Sequence, residues 1–155
     1  MFDPKVFNNE LQDIWETIVS NLMSFVLTEN IVERAFFMGE IAENAFECNC
    51  LFQISGKVFT PKETSIQVGL SKREYENRIY SILHSGNEEL ERIKKLFEEV
   101  KQEHPKVIRL IYDTQKNSLD CRFDYELISN QDYEFFEAVQ EWKEELNAAL
   151  ASAQH

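Results

Sequence analysis

The segment Asp113–Leu146, DTQKNSLDCRFDYELISNQDYEFFEAVQEWKEEL, decides the fold because its residue pattern changes from strand-like to helix-like within one stretch of chain. In the first half apolar and polar residues alternate, which predicts a strand with one buried and one solvent-facing side. The predicted core set is Leu119, Cys121, Phe123 and Tyr125, and the predicted outer set is Asp120, Arg122, Asp124 and Glu126.

In the second half large apolar residues recur at helical spacing, which predicts an amphipathic helix opening near Ser129 or Asn130. The residues expected on its buried face are Phe135, Val139, Trp142 and Leu146. The opposite face is acidic and presents Glu134, Glu137, Glu141, Glu144 and Glu145.

The chain before this segment divides into a helix, a hairpin and further helices. Asp3-Pro4 is typical of a helix start, and the apolar spacing carries that helix to about Leu27, with Asn30 ending it. A strand over Ile31–Ile41, a turn at Ala42–Asn44 and the alternation from Phe46 to Gly56 predict an antiparallel hairpin. Its core side would carry Phe46, Cys48, Cys50, Phe52 and Ile54, with Glu47, Asn49 and Gln53 on the other side. A short third strand is expected at Ser65–Val68.

Ser71 and Glu74 form a capping box that opens a helix, and His84–Asn87 is expected to break it in two. Pro105 stops the second half, and Val107–Tyr112 pairs with Leu119–Tyr125 around the turn Thr114–Asn117. We therefore predict an α+β fold with an antiparallel sheet of two hairpins in the order α-ββ(β)-αα-ββ-α. Residues 1–150 would form a single domain and 151–155 a short C-terminal tail.

Composition limits the classes of function. At 155 residues with 43% hydrophobic residues, the chain is long enough for one compact domain. A net charge of −12 disfavours binding to nucleic acid or to an anionic membrane, because both would repel the chain. The N-terminus lacks the features of a secretion signal, and three cysteines do not suggest a disulfide framework, so we expect a cytoplasmic protein.

The residue types that usually carry catalysis are not arranged for it. Cys48 and Cys50 are spaced C-x-C, without the four ligands of a zinc site, and the three cysteines are interpreted as small buried residues. His84, His104 and His155 have no partner at metal-site spacing. The sequence also contains no phosphate-binding or nucleophile motif. We therefore expect no enzymatic activity, no metal and no cofactor.

Concentrated acid on a folded scaffold favours docking onto a basic protein surface. The segment Asp113–Leu146 holds ten acidic and three basic residues. Phe136 falls off the buried stripe of the last helix, as an interface anchor would. The residues expected to bind the partner are Asp120, Asp124, Glu126, Asp132, Tyr133, Glu134, Phe136 and Glu137.

The run from Ile108 to Ser129, IRLIYDTQKNSLDCRFDYELIS, resembles the YezG-like immunity (antitoxin) family of polymorphic toxin systems. Phe123-Asp124-Tyr125-Glu126 matches that family's acidic-aromatic strand end, and Trp142-Lys143 matches its acidic last helix. The chain departs from the family where His104-Pro105-Lys106 replaces a Trp-Thr pair and where Lys116-Asn117 replaces a turn glycine. The resemblance implies a cytoplasmic protein that neutralises a cognate toxin, commonly a nuclease.

A secretion chaperone is the alternative, since such proteins are also small, acidic and α+β. It would hold an extended effector segment in apolar grooves, and its binding would depend less on salt than masking of a basic face. The sequence leaves open whether the chain forms a homodimer.

Overall fold

A computed structural model describes residues 3–26 and 31–153 of the chain. Its helices are α1 (Pro4–Met23), followed by a 3-10 turn (Ser24–Val26), then α2 (Pro61–Gln67), α3 (Lys72–Glu99) and α4 (Phe135–Ala153). Its strands are β1 (Val32–Ile41), β2 (Phe46–Ile54), β3 (Lys57–Phe59), β4 (Val107–Asp113) and β5 (Ser118–Asp124). The α+β class and the antiparallel sheet are as the sequence predicts.

The five strands form one sheet in the order β3-β2-β1-β4-β5, with every neighbouring pair antiparallel. Helices cover both faces. α1 and α3 pack on the face that carries Phe37, Cys50 and Ile108, and α4 packs on the face that carries Phe36 and Leu51. Because both faces of β1 and β2 are covered, these strands are buried almost throughout their length.

Several local signals act as the sequence predicts. The Asp3 side chain accepts a hydrogen bond from the Lys5 N–H, and Pro4 begins α1. The Ser71 and Glu74 capping box opens α3 with both of its hydrogen bonds present. The predicted end of the first helix at Leu27 and Asn30 lies outside the described residues.

The predicted strand at Ser65–Val68 is wrong, because that stretch belongs to α2 and its C-cap. Thr60 and Glu63 form a second capping box, and Pro61 occupies the first turn of α2, so local helix-start signals outweigh the short apolar pattern. The third strand lies earlier, at Lys57–Phe59, after a tight turn in which Ser55 (φ 49°) and Gly56 (φ 77°) both adopt positive φ.

The predicted helix break at His84–Asn87 is also wrong, since α3 runs without interruption. Gly86 does not end the helix but permits its close approach to the sheet. A Cβ at Gly86 would lie 2.6 Å from Cys48 Sγ and 3.1 Å from Phe37 Cε2. The residue that resembles a C-cap in sequence is therefore a packing residue.

Near the C-terminus three further expectations need correction. α4 begins at Phe135 rather than near Ser129 or Asn130, because the Asn130 side chain accepts from the Asp132 N–H and holds a turn there. Tyr125 is exposed rather than buried, since β5 ends at Asp124. Cys121 is exposed as well, because β5 is an edge strand, whereas Cys48 and Cys50 are buried as expected.

α4 extends to Ala153, three residues into the segment assigned to a tail. Across residues 3–26 and 31–153, no helix combines the length and the apolar character needed to span a bilayer.

Candidate protein-binding surface

The position of α4 decides which acidic residues lie together. Trp142 contacts Phe36 of β1 edge to face, with ring centroids 5.6 Å apart. On one side of the helix, Asn147 binds the backbone of Val58 in β3, and Lys143 Nζ lies 2.9 Å from Glu63 Oε1 of α2. α4 therefore lies over the β3 half of the sheet and leaves the outer part of the β5 half uncovered.

A buried carboxylate fixes the segment that leads into α4. Glu40 of β1 is only 4% exposed. It accepts hydrogen bonds from the backbone N–H groups of Ile128 and Ser129, each at 2.9 Å, and from the Ser129 hydroxyl. Backbone donors replace the water that a buried carboxylate loses, so Glu40 sets where the chain crosses from β5 to α4.

Between α4 and β5 runs a groove, here called the α4–β5 groove. One end is a cavity of about 230 Å³ lined by Arg109, Ile128, Tyr133, Ala138, Glu141, Trp142 and Glu145. The other end is a cavity of about 370 Å³ whose lining includes Ile111, Leu146 and Ala149 and the charged residues Arg34, Asp113, Lys116 and Asp120. Asp120 of β5 thus lines one of these cavities, and Glu141 and Glu145 of α4 line the other.

Arg109 lies on the floor of the groove. Its Nη1 is 2.8 Å from Asp124 Oδ2, and its guanidinium lies 5.9 Å from the Trp142 ring centroid. Arg122 Nε approaches the same Asp124 oxygen at 3.7 Å. Asp124 is therefore an internally paired, half-buried acid, and its charge is largely neutralised within the chain.

Tyr133 joins the groove to the acidic helix face. Its hydroxyl donates to the Glu141 carboxylate, which raises the pKa of Tyr133 to about 12, and Glu137 and Glu145 add to that shift. The phenol is thus held in its neutral form and oriented toward the helix. Tyr133 is therefore tied to α4 at the groove instead of projecting freely as an anchor.

The structure brings some of the sequence-predicted residues together and separates others. Asp120 and Tyr133 line the α4–β5 groove, and Asp124 is paired with Arg109, which also lines it. Glu126, Asp132, Glu134 and Glu137 are exposed on the connection to α4 or on its first turn. Phe136 is 59% exposed but lies on the other side of α4, where it lines a cavity with Pro61 and Ile79. It is not adjacent to the groove.

Sequence reasoning missed two exposed apolar residues beside the acids. Tyr125 is 44% exposed and Leu127 is 46% exposed, on either side of Glu126. Alternation assigned Tyr125 to the core because nothing in the pattern marks where the strand ends. Arg109 was also missed, since the predicted register alone does not show that α4 lies beside it.

The cysteines do not converge. Cys121 is on β5, which β1 and β4 separate from β2 and its two cysteines. Burial, with a smaller effect of Glu47, raises the pKa of the Cys48 thiol to about 12, and burial raises that of Cys50 as well. Within the part of the chain that the structure describes, no group of three or more His, Cys, Asp or Glu residues is placed to hold a metal ion.

The fold and the groove define an α+β protein with one sheet between helices and an acidic depression beside its edge strand. No family model matches the chain, and a search of curated proteins finds no significant match.

Proposed function

We propose that this chain is a cytoplasmic immunity protein that binds and neutralises a cognate toxin with a basic surface. The single observation that supports this most is the placement of α4 on the same face of the sheet as Asp120 and Asp124. Asp120 of the strand and Glu141 and Glu145 of the helix therefore lie on the same face of the sheet rather than on opposite faces of the molecule.

Electrostatics favours a basic partner. Glu141 and Glu145 line one end of the groove, where Arg109 is already paired with Asp124. Asp113 and Asp120 line the other end together with Lys116 and Arg34, and Arg34 is paired with Asp113. A nuclease must attract polyanionic nucleic acid, so its working face is basic. An acidic groove competes for that face and speeds association through steering.

Exposed apolar groups supply the other requirement of an interface. Tyr125 and Leu127 are exposed on either side of Glu126, just before Ile128, which lines the groove. A standard interface buries about 800 Å² on each partner, and a few apolar anchors carry most of its energy. We infer that Tyr125 and Leu127 act as anchors and that the rim carboxylates mainly set the rate of association.

The direct test is co-expression of the chain with the C-terminal domain of the toxin encoded beside its gene. Restored growth and a stable purified complex are expected, and the complex should weaken as salt rises. Growth arrest despite expression of the chain, with no complex recovered, would exclude this function.

Charge reversal then locates the surface. Asp120→Lys, Glu134→Lys and Glu145→Lys should each weaken toxin binding by about tenfold or more, mainly through slower association. Glu76→Lys is the matched control, because Glu76 is an exposed acid on α3, away from the groove. Equal loss for Glu76→Lys would show that only net charge matters.

One observation favours the alternative, a secretion chaperone. β3 pairs only with Phe52–Ile54 of β2, so the first part of β2 lies at the sheet edge. A cavity of about 390 Å³ opens along that edge, and its apolar lining includes Tyr75, Ile79, Leu83 and Phe136. An extended segment added there would gain backbone hydrogen bonds and apolar side-chain contacts.

Salt and mutation separate the two functions. Binding at the β2 edge should change little with salt and should weaken with Phe136→Asp. Binding at the α4–β5 groove should weaken as salt rises and should be unaffected by Phe136→Asp.

A further inference from the structure

The two ends of the sheet differ in how their edge strands are protected. At one end β3 is only three residues long, and the Asn147 amide binds both backbone groups of Val58, accepting at 2.8 Å and donating at 3.1 Å. At the other end β5 is seven residues long and contains neither proline nor glycine. Across residues 3–26 and 31–153, no strand pairs with the outer side of β5.

The register shows which backbone groups point outward from β5. The Thr114 N–H donates to the Glu33 carbonyl across the β1–β4 pair, so the even-numbered residues of β4 face β1 and the odd-numbered ones face β5. β4 pairs Arg109 with Arg122 and Ile111 with Asp120, so those β5 residues point their backbone groups inward. The backbone groups of Leu119, Cys121 and Phe123 therefore point away from the sheet.

The charged residues of β5 face opposite charges when β5 pairs with a second copy of itself in one particular register. If two β5 strands pair antiparallel about a two-fold axis at Cys121, Asp120 of each copy faces Arg122 of the other. The same axis places Leu119 opposite Phe123. Moving the axis by one residue sets Asp120 against Asp120 or Arg122 against Arg122, which is unfavourable.

A further pair of opposite charges between the two copies lies just beyond the ends of β5. In the same register Lys116, in the turn before β5, faces Glu126, just after it. Both residues are exposed. Charged side chains, proline or a bulge usually protect an edge strand from pairing. The charges on β5 alternate in sign, so in this register they attract a second copy of the strand instead of repelling it.

We propose that two copies of this chain associate by antiparallel pairing of their β5 strands about a two-fold axis at Cys121. The product is a continuous sheet across the dimer, with an isologous interface. The α4–β5 grooves of the two copies then meet at the shared edge, and the two α4 helices stand on either side of one wide trough. Pairing requires only the chain itself, so it does not depend on the proposed function.

Sedimentation equilibrium of the purified chain is the first test. A single strand pair is a small interface, so we expect a dimer with a dissociation constant on the order of micromolar. Asp120→Arg and Arg122→Asp each replace attractive cross-strand pairs by repulsive ones, and each should weaken the dimer by about tenfold or more. The double swap, Asp120→Arg with Arg122→Asp, should restore it.

Asp132→Arg is the matched control, because Asp132 is an exposed acid outside β5, and it should leave the dimer unchanged. Circular dichroism of each variant distinguishes a lost dimer from a lost fold. The proposal is overturned if the chain stays monomeric throughout the concentration range, or if the double swap is as weak as the single variants.

Cysteine oxidation tests the register. A hydrogen-bonded antiparallel pair brings its Cα atoms to about 5.5 Å, which is within the range of a disulfide. Cys121 is exposed, whereas Cys48 and Cys50 are buried. Oxidation with copper phenanthroline should therefore give a covalent dimer that Cys121→Ser abolishes. A dimer in solution in which neither oxidation nor a short bismaleimide joins Cys121 to its counterpart would exclude the axis at Cys121. A monomer that still binds the toxin would leave the proposed function intact.

Discussion

Gly86 lies in the middle of α3, where glycine ordinarily costs about 1 kcal/mol of helix stability relative to alanine. Its position is explained by packing, because Cys48 Sγ and the Phe37 ring occupy the space that a Cβ would need. The Cys48 thiol also donates to the Leu83 carbonyl at 3.4 Å, one turn earlier in the same helix. Gly86 therefore lowers the helix propensity of α3 but allows the helix to pack closely against the sheet.

Gly86→Ala should therefore destabilise the protein by about 1–3 kcal/mol, because overcrowding outweighs the gain in helix propensity. Urea unfolding monitored by circular dichroism measures the change. Ser81→Ala, at an exposed position of α3, should be neutral or slightly stabilising. Combining Gly86→Ala with Cys48→Ala should recover part of the loss. A more stable Gly86→Ala variant would refute the packing argument.

The buried thiols predict how stability depends on pH. Burial raises the pKa of Cys48 to about 12 and raises that of Cys50, so in the folded state both remain protonated above pH 9. In the unfolded state they ionise near their usual pKa of about 8.5, so the unfolded state then binds fewer protons. The free energy of unfolding should fall as pH rises above about 8.5, by up to about 1.4 kcal/mol per pH unit for each thiol.

Urea titrations under reducing conditions at about pH 8 and about pH 10 measure that fall. The variant with Cys48→Ala and Cys50→Ala should lose less stability between the two pH values, whatever its stability at the lower one. The same slope in both proteins would show that other groups, such as Tyr133, cause the alkaline destabilisation.

At the scale of elements, the sequence predicts what local periodicity controls. β4, β5 and their turn follow from alternation, and the buried stripe of α4 follows from helical spacing. The sequence predictions fail where a contact with another element determines the structure. Gly86 resembles a helix end in the sequence, but its contact with Cys48 shows that it is a packing residue. Tyr125 fits the alternating pattern of β5, but the strand ends one residue earlier, at Asp124.

The candidate surface shows the same limit. The acids of β5 and of α4 are each visible in the sequence, but whether they share one side depends on which face of the sheet α4 covers. Glu40 helps to determine that, and its own sequence context, an acid at the end of an apolar strand, gives no sign of a buried role.

Glu40→Gln tests how firmly the connection between β5 and α4 is held. The amide oxygen can still accept from the two backbone N–H groups and the amide nitrogen can donate to the Ser129 hydroxyl, but neutral hydrogen bonds replace charge-assisted ones, so we expect a loss of about 1–2 kcal/mol of stability. Glu47→Gln is a close control, because Glu47 pairs with Glu40 in the β1–β2 register but is exposed. Equal unfolding midpoints for the two variants would mean that the charge of Glu40 adds nothing to the strength of these hydrogen bonds.

At the scale of the whole molecule, the sheet separates two differently organised faces. The face covered by α1 and α3 holds the larger core cluster, including Trp15 and the buried cysteines. The face covered by α4 holds the smaller cluster, including Trp142, and the α4–β5 groove opens beside it. The larger core cluster thus lies on one face of the sheet, and the α4–β5 groove opens on the other.

The two tryptophans of the chain report on these faces separately. Trp142 lines the groove, with the Arg109 guanidinium 5.9 Å from its ring, whereas Trp15 contacts Phe123 on the opposite face. A toxin that binds in the α4–β5 groove competes with Arg109 for Asp124 and changes the solvation of Trp142. The emission of Trp142 should therefore shift on binding, and that of Trp15 should remain constant.

Single-tryptophan variants make the measurement unambiguous. With Trp15→Phe, titration with a toxin domain whose tryptophans are replaced should shift the emission, and the shift should disappear at high salt as the complex dissociates. With Trp142→Phe the emission should stay constant although the complex still forms, which a pull-down verifies. A shift confined to Trp15 would place the partner on the α1 face, and the acidic groove would then serve solubility rather than recognition.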